Sequence, residues 1–149
     1  MFHPRDRRDS GFSLIELLIV VTIIGIIAVI AVPNLLTAKR NSQETSAIAV
    51  VKSIVGGEAL YFQSFGSNSS YGTLTQLTTN NCVDPTLLGN SRNAYSFTVT
   101  LPTAVTYNIN ATPDSAIANQ VRYFFADESG VIRQQFAAVA TVSSSPVNK

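Results

Sequence analysis

One long apolar run dominates the N-terminal part of the chain. Residues 12–38 read FSLIELLIVVTIIGIIAVIAVPNLLTA, and the stretch from Leu17 to Ala38 contains no charged residue. As a helix, this stretch is long enough to cross the roughly 30 Å hydrocarbon core of a bilayer. The pattern therefore predicts a membrane-spanning helix over residues 12–38, with the carboxylate of Glu16 near its start.

The following residues, 39–65, keep helical spacing but become amphipathic. Apolar positions recur at intervals of three, four and seven residues, which is typical of a helix with one buried face. The stripe consists of Ala47, Val51, Ile54, Tyr61 and Phe65, flanked by Ile48, Val55, Ala59 and Phe62. Glu58 interrupts it. The sequence thus predicts one helix from Phe12 to about Phe65, apolar all round in its first half and buried along a stripe in its second.

Two places in this helix are weak. Pro33 lacks an amide hydrogen and is predicted to kink or locally melt the helix. Gly56 and Gly57 each cost about 1 kcal/mol relative to alanine in a helix interior. Simple flexibility and a functional curvature or unwinding both fit these residues, and the pattern does not choose between them.

The rest of the chain changes from helical spacing to loops and strands. Residues 66–94 are rich in glycine, serine, asparagine and threonine, which indicates an extended loop with at most one short helical turn. Residues 95–149 contain runs in which apolar and polar side chains alternate, the pattern of strands with one buried face. They are predicted to form an antiparallel sheet headgroup that ends in a C-terminal tail.

The alternation also assigns individual strands. Tyr95, Phe97, Val99 and Leu101 share one face, as do Val105, Tyr107, Ile109 and Ala111 after Pro102-Thr103. Val121–Ala126 and Val131–Gln134 flank Asp127–Gly130, which has the composition of a hairpin loop ending in glycine. Three or four strands cannot bury their apolar face alone, but the stripe of the long helix can cover it. The predicted fold class is α+β, a long N-terminal helix packed against a small antiparallel sheet.

Composition narrows the function classes. The 149 residues include ten basic and nine acidic ones, and beyond Lys52 the basic residues are too scattered for a phosphate-binding stripe. No nucleic-acid partner is therefore predicted. The single cysteine, Cys82, excludes an intramolecular disulfide and a multi-cysteine metal site, and its expected role is buried packing.

Catalytic chemistry has few residues to draw on. The only histidine is His3, so removal of the N-terminus would leave no imidazole in the chain. The spacing of the remaining residues shows neither a serine–lysine pair nor a carboxylate pair of the kind that hydrolytic catalysis needs. Asp127 and Glu128 are expected to be exposed turn residues rather than cation ligands. The chain is predicted not to be an enzyme and to use no cofactor or metal.

The residues before the apolar run set its orientation. Residues 1–10 contain Arg5, Arg7 and Arg8, and basic residues before a span keep that end in the cytoplasm. A secretory signal would have a shorter apolar core and a small-residue cleavage site after it, whereas Pro33-Asn34-Leu35-Leu36 follows Val32 here. The apolar segment is therefore expected to stay in the mature chain, and any cut to fall before it.

The motif Gly11-Phe12-Ser13-Leu14-Ile15-Glu16, between a basic leader and a long apolar run, resembles the processing site of type IV prepilins. The resemblance implies that a membrane-embedded aspartyl peptidase removes residues 1–11 by cutting after Gly11, and that Phe12 becomes an N-methylated first residue. Gly25 and Pro33 stand where pilins commonly have a glycine and a helix-kinking proline. The fold implied is that of a type IV pilin.

The same resemblance implies a function. The chain would be a structural subunit of a type IV pilus, held in the inner membrane with its leader in the cytoplasm and its headgroup outside. It would then polymerise into an extracellular helical filament of identical copies. Its partners would be membrane lipid, the prepilin peptidase, and an assembly platform with a cytoplasmic ATPase. Motility, adhesion, secretion and DNA uptake all stay open, and a pseudopilin of a type II secretion system is the alternative.

Two roles fit Glu16. Alone, it reads as an interfacial acid in the first helical turn, where the helix dipole favours an anion. With the whole motif, the newly exposed amine of Phe12 is a cation one helical turn away, and in a staggered assembly it would reach Glu16 of another copy. An unpaired carboxylate among apolar helices is penalised and a paired one is tolerated. Glu16 is therefore predicted to select the register of neighbouring subunits.

The sequence also departs from relatives of this kind. Many pilins close a C-terminal loop with a disulfide, which the single Cys82 forbids. The major pseudopilin of type II secretion typically binds calcium through acidic residues near its C-terminal end, and no acidic residue follows Glu128 here. No such calcium site is expected.

Overall fold

The computed structural model of this chain describes residues 11–89 and 91–147, so His3 and nearly all of the expected leader lie outside the described residues. The contacts divide the chain into two units, Met1–Ala38 and Lys39–Lys149. Both units contribute to a single helix, α1, which spans Leu14–Ser64.

α1 is not interrupted at any of its weak residues. It continues through Pro33 and through Gly56 and Gly57. Of the two effects predicted for Pro33, a kink or local melting, local melting is excluded, because α1 is helical on both sides of Pro33. A bend at Pro33 stays a prediction.

The second unit contains one antiparallel sheet in which every strand pairs with the next along the chain. The strands are β1 (Ser91–Arg92), β2 (Tyr95–Thr103), β3 (Thr106–Pro113), β4 (Arg122–Asp127), β5 (Arg133–Phe136) and β6 (Ser145–Pro146). The two-residue strands β1 and β6 lie at the edges and were not predicted, because two residues show no alternation. The four central strands were predicted, although β5 begins at Arg133 and not at Val131, and the α+β fold class is confirmed.

The turn between β2 and β3 lies later than the sequence suggested. Pro102-Thr103 was expected to form it, but Thr103 still pairs with Thr106, and the register shifts between Thr100 and Thr103. Proline cannot donate a ladder hydrogen bond, and this irregular stretch of strand tolerates it. Val105 is consequently an exposed turn residue and not a member of the buried face.

The segment expected to be mostly loop, residues 66–94, contains more structure than predicted. It holds the helix α2 (Leu74–Thr79) and a 3-10 helix over Pro85–Gly89. α2 begins at a capping box, in which the Thr73 hydroxyl accepts from the Gln76 amide while the Gln76 side chain accepts from the Thr73 amide. The spacing Thr-x-x-Gln could have indicated the start of this helix from the sequence alone.

The sheet packs one face onto the second half of α1. The core from α1 comprises Ala47, Val50, Val51, Ile54 and Tyr61, and the core from the sheet includes Tyr95, Phe97, Tyr107, Ile109, Ala111, Phe124 and Ala126. The predicted helical stripe and strand faces are thus largely confirmed. Phe65 was misassigned: it follows the last residue of α1 and is 50% exposed. Cys82 is partly exposed and not fully buried packing.

The hairpin between β4 and β5 contains the predicted glycine, but the burial of its acidic residue Asp127 differs from the prediction. Gly130 has φ +70°, and its amide donates 2.9 Å to the Asp127 carbonyl. Asp127, expected to be exposed, is only 8% exposed, and its side chain accepts the Ser129 amide and hydroxyl. Its carboxylate therefore closes the turn, whereas Glu128 is exposed as predicted.

Candidate processing and assembly site

The first half of α1 exposes apolar side chains on all sides. Every residue from Gly11 to Lys39 is exposed, including the bulky leucines, isoleucines and valines between Leu14 and Leu36. By length and composition this helix can cross a membrane. A soluble surface of this size without a charge is rare in a monomer and marks a membrane or protein contact.

Glu16 lies at the start of this apolar surface. Ser13 precedes the helix, and its amide donates a hydrogen bond of 2.9 Å to Oε2 of Glu16. A carboxylate in the first turn thereby satisfies one of the amides that a helix start leaves unpaired, and it faces the positive end of the helix dipole. This geometry matches the simpler of the two roles considered for Glu16.

The peptide bond expected to be cut lies outside the helix. Gly11 and Phe12 precede α1, and Phe12 is 77% exposed. A Cβ placed on Gly11 would meet nothing within 4 Å. Neither residue is held by packing against the described part of the chain, so a protease can reach the bond between them.

Gly25 and Pro33 lie further along the same apolar helix. A Cβ on Gly25 would also meet nothing within 4 Å. Both residues are exposed, and the fold of the single chain gives neither a packing role.

Comparison with known proteins identifies this N-terminal region. Residues 6–32 match the family model described as the prokaryotic N-terminal methylation motif. The chain is 43% identical over 61 residues to the type IV major pilin protein PilA of Myxococcus xanthus, which covers 41% of this chain and 26% of that protein. The N-terminal region of the chain is therefore similar to that of a type IV major pilin, in agreement with the resemblance seen in its sequence.

Two further relatives show that the similarity extends to more than one class of protein. The type IV wide pilus major component PilA4 of Thermus thermophilus is 42% identical over 55 residues, covering 37% of this chain and 42% of that protein. The type II secretion system core protein G of Aeromonas hydrophila is 34% identical over 57 residues, covering 38% and 40%. The chain thus spans less than half the length of the curated relatives it matches. No solved structure matches the chain.

A second constellation, which the sequence did not indicate, surrounds Glu58. This residue was expected only to interrupt the apolar stripe, yet it is 0% exposed. Its Oε2 accepts a hydrogen bond of 3.0 Å from the Gly72 amide, and its Oε1 has no partner in the described part of the chain. Burial raises the pKa of the Glu58 carboxyl to about 7, although the Gly72 hydrogen bond acts in the opposite direction.

The titratable groups near Glu58 are also shifted. Partial burial raises the pKa of the Cys82 thiol, and the charge of Glu58 adds to this. Burial raises the pKa of Tyr107 as well, with contributions from Tyr71 and Glu58. These groups therefore stay neutral near pH 7 and offer no positive charge to the carboxylate.

Polar contacts fasten α1 to the sheet at the other end of the headgroup. The Arg122 amide and guanidinium donate 2.8 Å and 2.9 Å to the two oxygens of Glu44. The Asn93 side chain donates 2.6 Å to the Ser46 hydroxyl. The helix is thus tied to the end of the sheet where β2 and β4 begin, by side chains that no local sequence pattern links.

Proposed function

We propose that this chain is a structural subunit of a type IV pilus, made as a membrane-anchored precursor and polymerised through the first half of α1. The observation that carries the proposal is the charge-free, fully exposed helix surface beyond Glu16, combined with the methylation motif over residues 6–32. Such a surface is stable only in lipid or against similar helices. Filament assembly exchanges the first environment for the second.

The proposed processing step acts on the accessible bond between Gly11 and Phe12. A prepilin peptidase hydrolyses this peptide bond, which releases residues 1–11 and leaves Phe12 with a free amine that is then methylated. Methylation retains the positive charge of an amine at neutral pH. The leader stays on the cytoplasmic side, where its arginines hold it, and the headgroup lies outside the inner membrane.

The proposed assembly step uses Glu16. In the single chain Oε2 of Glu16 is bonded to the Ser13 amide, and its exposed side chain keeps capacity for a second partner. A carboxylate accepts several hydrogen bonds at once. The methylated amine of Phe12 on an adjacent copy is the proposed partner, and the pair fixes the axial register because apolar helices packing in lipid have little other specificity. An assembly platform and its ATPase extract the subunits.

Mass spectrometry of filaments sheared from cells tests this function. The N-terminal peptide is expected to begin at Phe12 and to carry one methyl group. Gly11→Val should block cleavage and abolish filaments, whereas Glu128→Gln changes an exposed residue of the headgroup and should leave both unchanged. Wild-type protein that retains Met1 in its functional location would contradict the proposal.

Similarity to core protein G of a type II secretion system supports a second candidate, a pseudopilin. The chain would then form a short periplasmic filament. Deletion of the gene separates the two: loss of surface filaments with intact protein secretion identifies a pilus subunit, and the opposite result identifies a secretion component.

A further inference from the structure

Glu58 lies where α1 meets two loop segments, residues 66–73 and 80–83. The Gly72 amide of the first segment donates to its Oε2 at 3.0 Å. Beside it, Gly57 lies so close to the second segment that a Cβ there would lie 2.3 Å from Cγ1 of Val83 and 2.9 Å from the Cys82 carbonyl oxygen. The carboxyl is therefore enclosed by backbone on two sides and is 0% exposed.

Aromatic rings pack around the Gly72 side of this junction. Gly72 lies against the ring of Tyr61, which a Cβ would approach to 3.0 Å. The ring of Tyr71 packs on Phe62 and, edge to face, on Tyr107, with centroid distances of 4.8 Å and 4.7 Å. The Tyr71 amide also donates 2.8 Å to the Ala104 carbonyl in the β2–β3 turn. Residues 70–73 thus connect Glu58 to the sheet.

No group at this junction can neutralise an ionised Glu58. Tyr61 on α1, Tyr71 and Cys82 on the loop segments, and Tyr107 on β3 carry hydroxyl or thiol groups, which cannot supply a positive charge. Asp127 and Glu128 act on Tyr107 from the hairpin and are acidic as well. Among the described residues the ion pairs are Arg92–Asp84 and Arg122–Glu44, and neither includes Glu58.

The neutral and the ionised side chain of Glu58 differ in the partners that stabilise them. A neutral carboxyl accepts the Gly72 amide and requires no counter-charge. Oε1 is buried without a hydrogen bond in either state, but a carboxylate adds a buried charge with no counter-charge, which is strongly unfavourable unless the group reaches water. Water reaches it when residues 66–73, which supply its Gly72 hydrogen bond, move away from α1.

We propose that Glu58 is a proton-operated latch, which in its neutral form holds residues 66–73 on α1 and on ionisation releases them, so that this side of the headgroup loosens as the pH rises through neutrality. The latch does not depend on the proposed function of the chain, since it lies within the headgroup and uses none of the residues of the processing site.

Hydrogen exchange of the Gly72 amide in the full chain, held in detergent micelles, tests the latch. Because the opened loop exposes Glu58, and the pKa changes from 4.5 to about 7 on burial, the protection factor should fall about 70-fold from about pH 5 to about pH 8. In Glu58→Gln the protection factor should not change with pH, since the amide has no ionised form and its carbonyl still accepts from Gly72. Glu128→Gln removes an exposed acid and should behave as wild type.

Specific results would overturn the latch. These are a wild-type protection factor that does not fall with pH, an equal fall in Glu58→Gln, or a flattened response in Glu128→Gln. Should Glu58→Gln not fold, carboxyl carbon NMR of the wild-type chain decides. A midpoint near pH 7 for Glu58 supports the latch, and a midpoint near its ordinary value rejects it.

Discussion

Arg122 binds both carboxylate oxygens of Glu44, one through its backbone amide at 2.8 Å and the other through its guanidinium at 2.9 Å. Glu44 belongs to α1 and Arg122 begins β4, so the pair joins the helix to the sheet. The Glu44 side chain is 13% exposed, which shields the pair from solvent more than an ordinary surface ion pair.

Replacing this carboxylate should destabilise the headgroup. Glu44→Ala is expected to lower the free energy of unfolding by about 1–2 kcal/mol, since it leaves the Arg122 amide unpaired. Glu44→Gln keeps an acceptor for that amide and should cost less. Urea denaturation monitored by tyrosine fluorescence measures both variants, and an equal loss in the two would show that the amide contact contributes nothing.

The two adjacent glycines of α1 should respond to alanine in opposite directions. At Gly56 a Cβ meets nothing within 4 Å, so Gly56→Ala should stabilise the helix by up to about 1 kcal/mol. At Gly57 the same Cβ would lie 2.3 Å from Val83 Cγ1, so Gly57→Ala should destabilise by about 1–3 kcal/mol despite the better helix former. Thermal unfolding compares them. Stabilisation by both would contradict the close packing of α1 on residues 82–83.

The stability of α2 should depend on its N-cap residue, Thr73. Thr73→Ala removes the side chain that caps the Gln76 amide, and about 1 kcal/mol of stability is expected to be lost. Thr75→Ala changes the same residue type within the helix at an exposed position and serves as the control. The difference between the two unfolding free energies isolates the cap, and no difference would exclude it.

Stability should fall as the pH rises. The folded-state pKa of Glu58, about 7, exceeds its unfolded value of 4.5, so burial costs nothing below about pH 4.5 and costs most above about pH 7. The expected total loss between these limits is on the order of 3 kcal/mol. Asp84 has a lowered pKa from its Thr86 and Arg92 contacts, and its contribution is lost only at acidic pH. Denaturation midpoints across this range measure the loss, and a curve that rises to pH 7 would contradict the assignment.

Assembly should depend on Glu16 and insertion should not. Glu16→Val removes the only charge from the apolar helix start, so the precursor should still enter the membrane while filaments are lost or lose regular subunit spacing. Membrane fractionation and electron microscopy separate the two effects, with Glu128→Gln as a charge-removing control in the headgroup. Normal filaments from Glu16→Val would refute the register role.

The sequence predicted what local patterns determine. Gly11, Phe12 and Glu16 belong to a linear motif, so the N-terminal methylation motif could be recognised without a fold, and alternation located the faces of Tyr95 and Phe97.

Features set by contacts between distant residues escaped prediction. Glu58 looked like a break in a stripe because the Gly72 amide that accompanies its burial lies fourteen positions later along the chain. For the same reason the sequence indicated only a flexible position at Gly57. In the structure Cys82 and Val83 approach this residue so closely that a Cβ would clash with them. The proposed pairing of Glu16 with the Phe12 amine joins two copies of the chain. The sequence of one chain indicates only that these two groups are one helical turn apart.

Because Glu58 of α1 is buried, folding of the headgroup also changes the number of protons that the chain binds. At a pH between 4.5 and about 7 the unfolded chain has released the proton of Glu58 and the folded chain holds it. Near the middle of this range each headgroup that folds therefore takes up most of one hydrogen ion from its surroundings, and folding of many headgroups draws the solution towards alkaline pH.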